Sequence, residues 1–104
     1  VPTADYAAAI ARTTAQRARI AELLGEDTVV LGPAAPGAAP AGLGATGSPV
    51  MSRPWQLLGL PQLAVAGSVD AAGLPLGVQL VARGGAETML LTAGELLEAR
   101  LAER

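Results

Sequence analysis

The stretch "GLPLGVQLVARGGAE", Gly73 to Glu87, decides how this chain is read. Leu74 to Ala82 alternates as a strand does. Leu74, Leu76, Val78 and Leu80 share one face, and Pro75, Gly77, Gln79 and Val81 share the other. Pro75 cannot donate a ladder hydrogen bond, so it belongs near the strand start. Gly77 leaves room for a close backbone or loop. Gln79 is one amide among apolar residues, and burying it requires that its donors and acceptor be satisfied. A face bearing Pro, Gly and Gln calls for irregular polar backbone opposite it. The plainer role for Gln79 is to pin a loop; direct substrate contact is the other. Gly84-Gly85 then opens a final helix, Ala86 to Glu103, with Glu87 in its first turn and Arg100 and Arg104 in its last, as the helix dipole prefers. Leu90, Ala93, Leu97 and Leu101 give that helix an apolar stripe. Gly94 inside it is tolerable where a neighbour packs closely.

Upstream, "DAAG" at Asp70–Gly73 is a turn signal, so Gln62–Ala66 and Leu74–Ala82 are expected to form a hairpin. "PWQLL", Pro54–Leu58, reads as a short helix with Pro in its first turn, ended by Gly59. "TVVL", Thr28–Leu31, fits a buried strand of the kind found in parallel sheets. Between them, Gly32–Pro49 is too rich in Pro and Gly for regular structure. A loop of that length is disordered or functional, and its flanking strands favour one ordered against other parts of a larger protein. Ala4 to about Leu24 reads as a helix capped by Thr3 or Asp5 and ended by Gly25. Tyr6, Ile10, Ile20 and Leu24 fall near one stripe, interrupted by Thr13 and Arg17. No internal repeat is present.

The composition is globular: 51% hydrophobic and 15% charged, with a net charge of −2. Aromatic residues are limited to Tyr6 and Trp55, so the core rests on many small Leu, Val and Ala contributions. At 104 residues, without a disulfide, independent stability is marginal. No apolar run reaches the ~18 residues of a membrane span, there is no secretory signal pattern, and the mild negative charge leaves no footprint for nucleic acid. Zero Cys suits a reducing compartment, so a cytoplasmic location is expected. All seven basic residues are Arg; Lys, His and Cys are absent. The usual catalytic bases near neutral pH are therefore missing, carboxylates apart. With a first residue Val1 that is not Met, the expectation is a piece of a longer polypeptide.

Three segments in this order, "DTVVLGPAAPGAAP" (Asp27–Pro40), "ATGSPVMSRPWQLLGLPQLAV" (Ala45–Val65) and "GLPLGVQLVARGGAETMLL" (Gly73–Leu91), resemble the C-terminal end of amidase-signature enzymes. The resemblance covers nearly the whole chain. "GLPLGVQLV" is its most telling part, and the order and spacing carry more than any single motif. It implies an α/β/α sandwich with a mixed sheet, of which residues 1–104 would be the C-terminal segment, incomplete alone: helix, strand, long loop, short helix, hairpin, helix. It implies hydrolysis of a carboxylic amide to an acid plus ammonia or an amine, by a Ser–cis-Ser–Lys triad, with no cofactor and no metal. A desolvated Lys can serve there as the base that His supplies elsewhere. None of those residues is present: there is no Lys and no Gly-Gly-Ser-Ser-Gly-Gly stretch. Ser48 and Ser68 read as loop or turn residues and Ser52 as a helix cap. The chain alone is thus expected to be inactive, its catalytic residues none, and its first partner the missing N-terminal portion of the same protein.

The resemblance gives the tail a role in walling the substrate pocket. The candidate substrate-binding residues are Trp55 and Met51, on the Gly47–Trp55 loop. Packing is the plainer role for each: Trp55 under the last helix, Met51 as a flexible gap-filler. Arg53 and Arg83 are candidates for a carboxylate, against the commoner solvated or surface-paired role. The chain departs from the family at Ala66, where Pro is frequent, and near Met51, where a bulkier residue is usual. In the branch that supplies ammonia for tRNA-dependent amidation, an Asp before the short helix contacts glutamine; Pro49 stands at about that place, which argues against a glutamine substrate. The other partners expected are a small amide substrate, with homo-oligomerisation left open and neither nucleic acid nor membrane. The alternative is a non-catalytic α/β interaction module or a degenerate relic.

Overall fold

The computed structural model describes residues 1–103. In order, its elements are α1 (Thr3–Leu23), β1 (Val30–Pro33), α2 (Arg53–Leu58), β2 (Gln62–Val69), β3 (Pro75–Val81) and α3 (Glu87–Ala102). The three strands form one antiparallel sheet in the order β1-β3-β2. The chain is thus mixed α/β. The parallel pairing suggested by "TVVL" is not found: β1 runs antiparallel to β3, with Val30 opposite Val81 and Gly32 opposite Gln79. Nor is the strand buried as expected: Val30 is half-buried and Leu31 is 61% exposed, since β1 lies at a sheet edge; an apolar run by itself fixes neither burial nor direction. That strand also starts later than expected and runs on through Gly32 to Pro33, which an edge position permits.

β2 and β3 form the expected hairpin, with Leu63 opposite Leu80, Val65 opposite Val78 and Ala64 opposite Gln79. Its turn is closed by Asp70. One carboxylate oxygen, Oδ1, accepts the N–H groups of Ala72 and Leu74, both at 2.9 Å. Gly73 turns the chain with φ +83°, a conformation costly for any other residue but cheap for Gly. The register shifts between Ala66 and Ser68. The bulge needs Gly67, because a Cβ there would lie 2.8 Å from the Leu76 carbonyl.

The core lies between the sheet and α3. Val65, Leu80, Ala82, Ala86 and Leu90 are buried together, and Leu63, Val78, Ala93, Leu97 and Leu101 pack against them. The stripe read from the last helix is the one that faces the sheet. Gly94 is buried because Leu63 of β2 occupies the space where a Cβ would sit. Glu87 and Arg100 lie in the first and last turns of α3 as expected, and Arg104 lies outside the described residues.

α1 differs from its expectation. It begins at Thr3 with Pro2 at the N-cap and no side-chain cap bond, so Thr3 and Asp5 lie inside the first turn instead of capping it. None of its residues is buried; Tyr6 and Ile10 of the expected stripe are exposed, Ile20 is half-buried, and Leu24, just beyond its end, is buried. α1 is held beside α2 by Arg17, whose Nε and Nη2 donate to the Leu57 carbonyl at 3.1 and 2.8 Å.

The result is a flat body of 49 × 38 × 15 Å with a radius of gyration of 16.3 Å. A compact chain of this length has a radius of ~13 Å. The accessible surface is 7331 Å², against roughly 5,400 Å² for a globular monomer of the same mass. The excess, roughly 1,900 Å², is more than the ~800 Å² that one partner contributes to a standard protein–protein interface.

Candidate functional site

The face of β3 that carries Gly77 and Gln79 is turned away from α3 and receives the long loop. Gln79 is 6% exposed. Its Nε2 donates to the carbonyls of Pro33 at 3.1 Å and Met51 at 2.7 Å. Its Oε1 accepts from Nε2 of Gln62 at 3.3 Å, and the same Gln62 nitrogen reaches the Ser52 carbonyl at 3.5 Å. One amide therefore fastens both ends of the Ala34–Ser52 loop to the middle strand. Gly77 completes the seat: its carbonyl accepts the Ala34 N–H at 3.0 Å, and a Cβ on it would lie 3.3 Å from Ala34 Cβ. The irregular backbone demanded by Pro75, Gly77 and Gln79 is this loop.

Two clefts result. One, of about 240 Å³, is lined by Ala34, Ser52, Gln62, Leu63, Ala64 and Gln79. The other, of about 380 Å³, lies between loop residues Ala35–Pro40 and Thr46–Ser48 and the strand residues Pro75 and Gly77.

Met51 is half-buried and joins this arrangement through its carbonyl. Trp55 is half-buried in α2, where its carbonyl accepts the Leu60 N–H at 3.1 Å while Gly59 takes φ +71°. These are the bonds of a glycine-terminated helix end. Neither residue lines the two clefts. Arg53 is exposed at the start of α2. Arg83 sits with Nη2 3.8 Å from Glu26, while its buried Nε has no hydrogen-bond partner.

All three serines bond locally, and Ser68, expected in a loop or turn, lies instead within β2 at its register shift. Ser48 Oγ accepts the Val50 N–H at 3.3 Å, Ser52 Oγ donates to Pro49 at 3.3 Å, and Ser68 Oγ donates to Val69 at 3.4 Å. Ser52 holds the N-cap position without capping by its side chain. Pro54 at the second helical position has no N–H to offer it. The expected cap is corrected on that ground. Among the described residues no group of His, Cys, Asp or Glu could hold a metal ion, and no helix is long and apolar enough to cross a membrane.

Sequence reasoning passed over Gln62. It is the diagonal neighbour of Gln79 across the hairpin, and a hairpin register drawn at the outset would have put both amides on one face. The Arg17–Leu57 latch had no signal, because it joins a side chain to a carbonyl 40 residues away.

Comparison with known proteins adds a family likeness. The stretches that match are similar to the A-subunit of glutamyl-tRNA(Gln) amidotransferase. The protein of that name from Nitrobacter hamburgensis is 52% identical over 42 residues, 40% of this chain and 9% of its own length. The one from Novosphingobium aromaticivorans is 45% identical over 51 residues, 49% of this chain and 10% of its own. The one from Roseobacter denitrificans is 52% identical over 42 residues, 40% of this chain and 8% of its own. The chain thus spans about a tenth or less of the length of these relatives. No protein-family model matches it. The likeness supports the amidase-signature resemblance. All three carry the name of the branch in which an Asp stands at about the place of Pro49.

Proposed function

We propose that these residues form the C-terminal portion of an amidase that hydrolyses a carboxylic amide to an acid plus ammonia or an amine, in the cytoplasm. The nucleophilic Ser, its cis-Ser partner and the Lys base would come from the N-terminal portion of the same protein. The observation that carries the reading is the identity of 45–52% with three amidotransferase A-subunits over 42–51 residues. The surface excess of roughly 1,900 Å² supports it, since a sheet with one helical layer and an α1 with no buried residue is what the edge of a larger sandwich would leave. So does the local engagement of Ser48, Ser52 and Ser68, none beside a base.

In this reading the tail acts by placing a wall. Gln79 fixes the Met51 carbonyl, the segment from Met51 to Trp55 follows, and those two side chains border the substrate. A wall held by buried amide bonds keeps its position as substrate enters, which is what orientation of a reacting group requires.

The test is ammonia release from simple carboxamides, measured for the 104-residue chain and for the same polypeptide extended upstream. The reading expects turnover only from the extended protein, abolished by replacing its Lys base. Turnover by the 104 residues alone, or an extended protein inert toward amides, would contradict it.

A further inference from the structure

The two glutamines form a relay that starts and ends on neighbouring residues. Nε2 of Gln62, the first residue of β2, reaches the Ser52 carbonyl at 3.5 Å and Oε1 of Gln79 at 3.3 Å. Nε2 of Gln79 in turn reaches the Met51 carbonyl at 2.7 Å and the Pro33 carbonyl at 3.1 Å. Consecutive carbonyls, Met51 and Ser52, are thus clasped by side chains from two strands. α2 begins at the next residue, Arg53, and carries Trp55. A primary amide has nearly the same shape at both ends but opposite hydrogen-bonding character. Gln79 meets acceptors at one end, so its other end needs a donor. Among the described residues Gln62 Nε2 is the donor that Oε1 has. Gln62 faces the same choice, and the Ser52 carbonyl settles it by holding Nε2. Packing alone does not hold the pair, because a cleft of about 240 Å³ adjoins it, lined by Ala34, Ser52 and both glutamines among others.

We propose that Gln62 is a positioning residue of the substrate wall: by donating to Gln79 Oε1 it holds that amide with Nε2 toward the loop, and so sets where Met51 and Trp55 meet the substrate. This role rests on the amidase reading, in which those two side chains border the substrate. Gln62 touches no substrate and acts through Gln79. An acceptor in its place would leave Gln79 with acceptors at both ends, and one set of bonds would break. If the Met51 bond is the one lost, the wall is released just before α2. A released wall weakens substrate binding more than it slows a bound substrate.

The experiment measures kcat and KM for ammonia release from butyramide by the polypeptide extended upstream. The variants are Gln62→Glu, Gln62→Met, Gln79→Leu and the pair Gln62→Met/Gln79→Leu. Gln62→Glu keeps the shape and loses the donor; Gln62→Met keeps the length and loses both polar ends. Each should raise KM about two- to tenfold, the loss of one net hydrogen bond, with a smaller change in kcat. In the Gln79→Leu background Gln62→Met should add nothing, because a residue that acts through another has nothing left to act on. The thermal midpoint of each variant shows which are folded, and Gln62→Met carries the comparison where Gln62→Glu does not fold. An active extended protein whose KM ignores both Gln62 variants would overturn the positioning role and leave the amidase reading standing. So would a loss confined to kcat, or the same rise in KM with and without Gln79. An extended protein inert toward amides would overturn both.

Discussion

Replacing Gln79 with Leu removes three hydrogen bonds at once: two donated, to Pro33 and Met51, and one accepted, from Gln62. Leu has nearly the volume of Gln, so packing is little changed. Each bond contributes about 0.5–1.5 kcal/mol net, and a partner left buried without replacement adds to the loss. Pro33 is exposed and Met51 half-buried, so water reaches part of what is orphaned. The expected destabilisation is therefore about 3 kcal/mol, the middle of the range for three bonds. Urea unfolding should show a lower midpoint at unchanged slope. Amide exchange should rise first at Ser52 and Arg53, whose N–H groups both bond to the Pro49 carbonyl beside the released Met51. A change below ~0.5 kcal/mol, the scatter of ordinary surface substitutions, would refute the claim that this amide fastens the loop. Gln79→Glu sharpens the test. The carboxylate keeps the shape but faces two carbonyls as an acceptor. Burial raises its folded pKa above the unfolded value of about 4.3. Its penalty should therefore be smallest below that pH and grow as pH rises through the window up to the folded pKa. A penalty that is flat with pH would mean that the carboxylate is solvated and the loop detached.

Four further substitutions probe the fold. Gly67→Ala places a Cβ 2.8 Å from the Leu76 carbonyl, a backbone atom, so the bulge must shift; a loss of about 1–3 kcal/mol is expected in thermal or urea unfolding. Gly94→Ala sets a helix gain of about 1 kcal/mol against overlap with Leu63. The overlap should win because Leu63 is itself packed against the core, and a stabilised variant would show that α3 is free to move off β2. Asp70→Ala removes both turn bonds from Oδ1 and should lower stability by about 1 kcal/mol, with faster exchange at Leu74. Arg17→Ala unlatches α1 from α2; helicity by circular dichroism should fall while the exchange of β3 amides stays unchanged.

The elements facing the sheet were legible in the sequence. α3 announced itself by Leu90, Ala93, Leu97 and Leu101 at helical spacing, and the hairpin by Asp70–Gly73 between two alternating runs. Gly77 and Gln79 foretold a loop lying against β3, because a missing Cβ and an unpaired amide each need a specific neighbour. The direction of β1 was not legible. Val29, Val30 and Leu31 encode an apolar strand, while pairing depends on a partner about 50 residues away. The exposure of Tyr6 and Ile10 was not legible either, since a stripe promises a surface to bury against and these residues supply none. At the site, Gln79 was found because it stood alone in an apolar run. Gln62 was missed because it stood at a strand start, where a polar residue needs no explanation. Met51 contributes a carbonyl, which no side-chain reasoning selects.

The most direct test of the amidase account is the coding sequence immediately upstream of the Val1 codon. The account predicts an open frame that runs back through a Gly-Gly-Ser-Ser-Gly-Gly-like segment and, before it, a Lys. A stop codon directly before Val1, or an upstream frame lacking both features, would contradict it and leave the interaction-module alternative as the line to pursue.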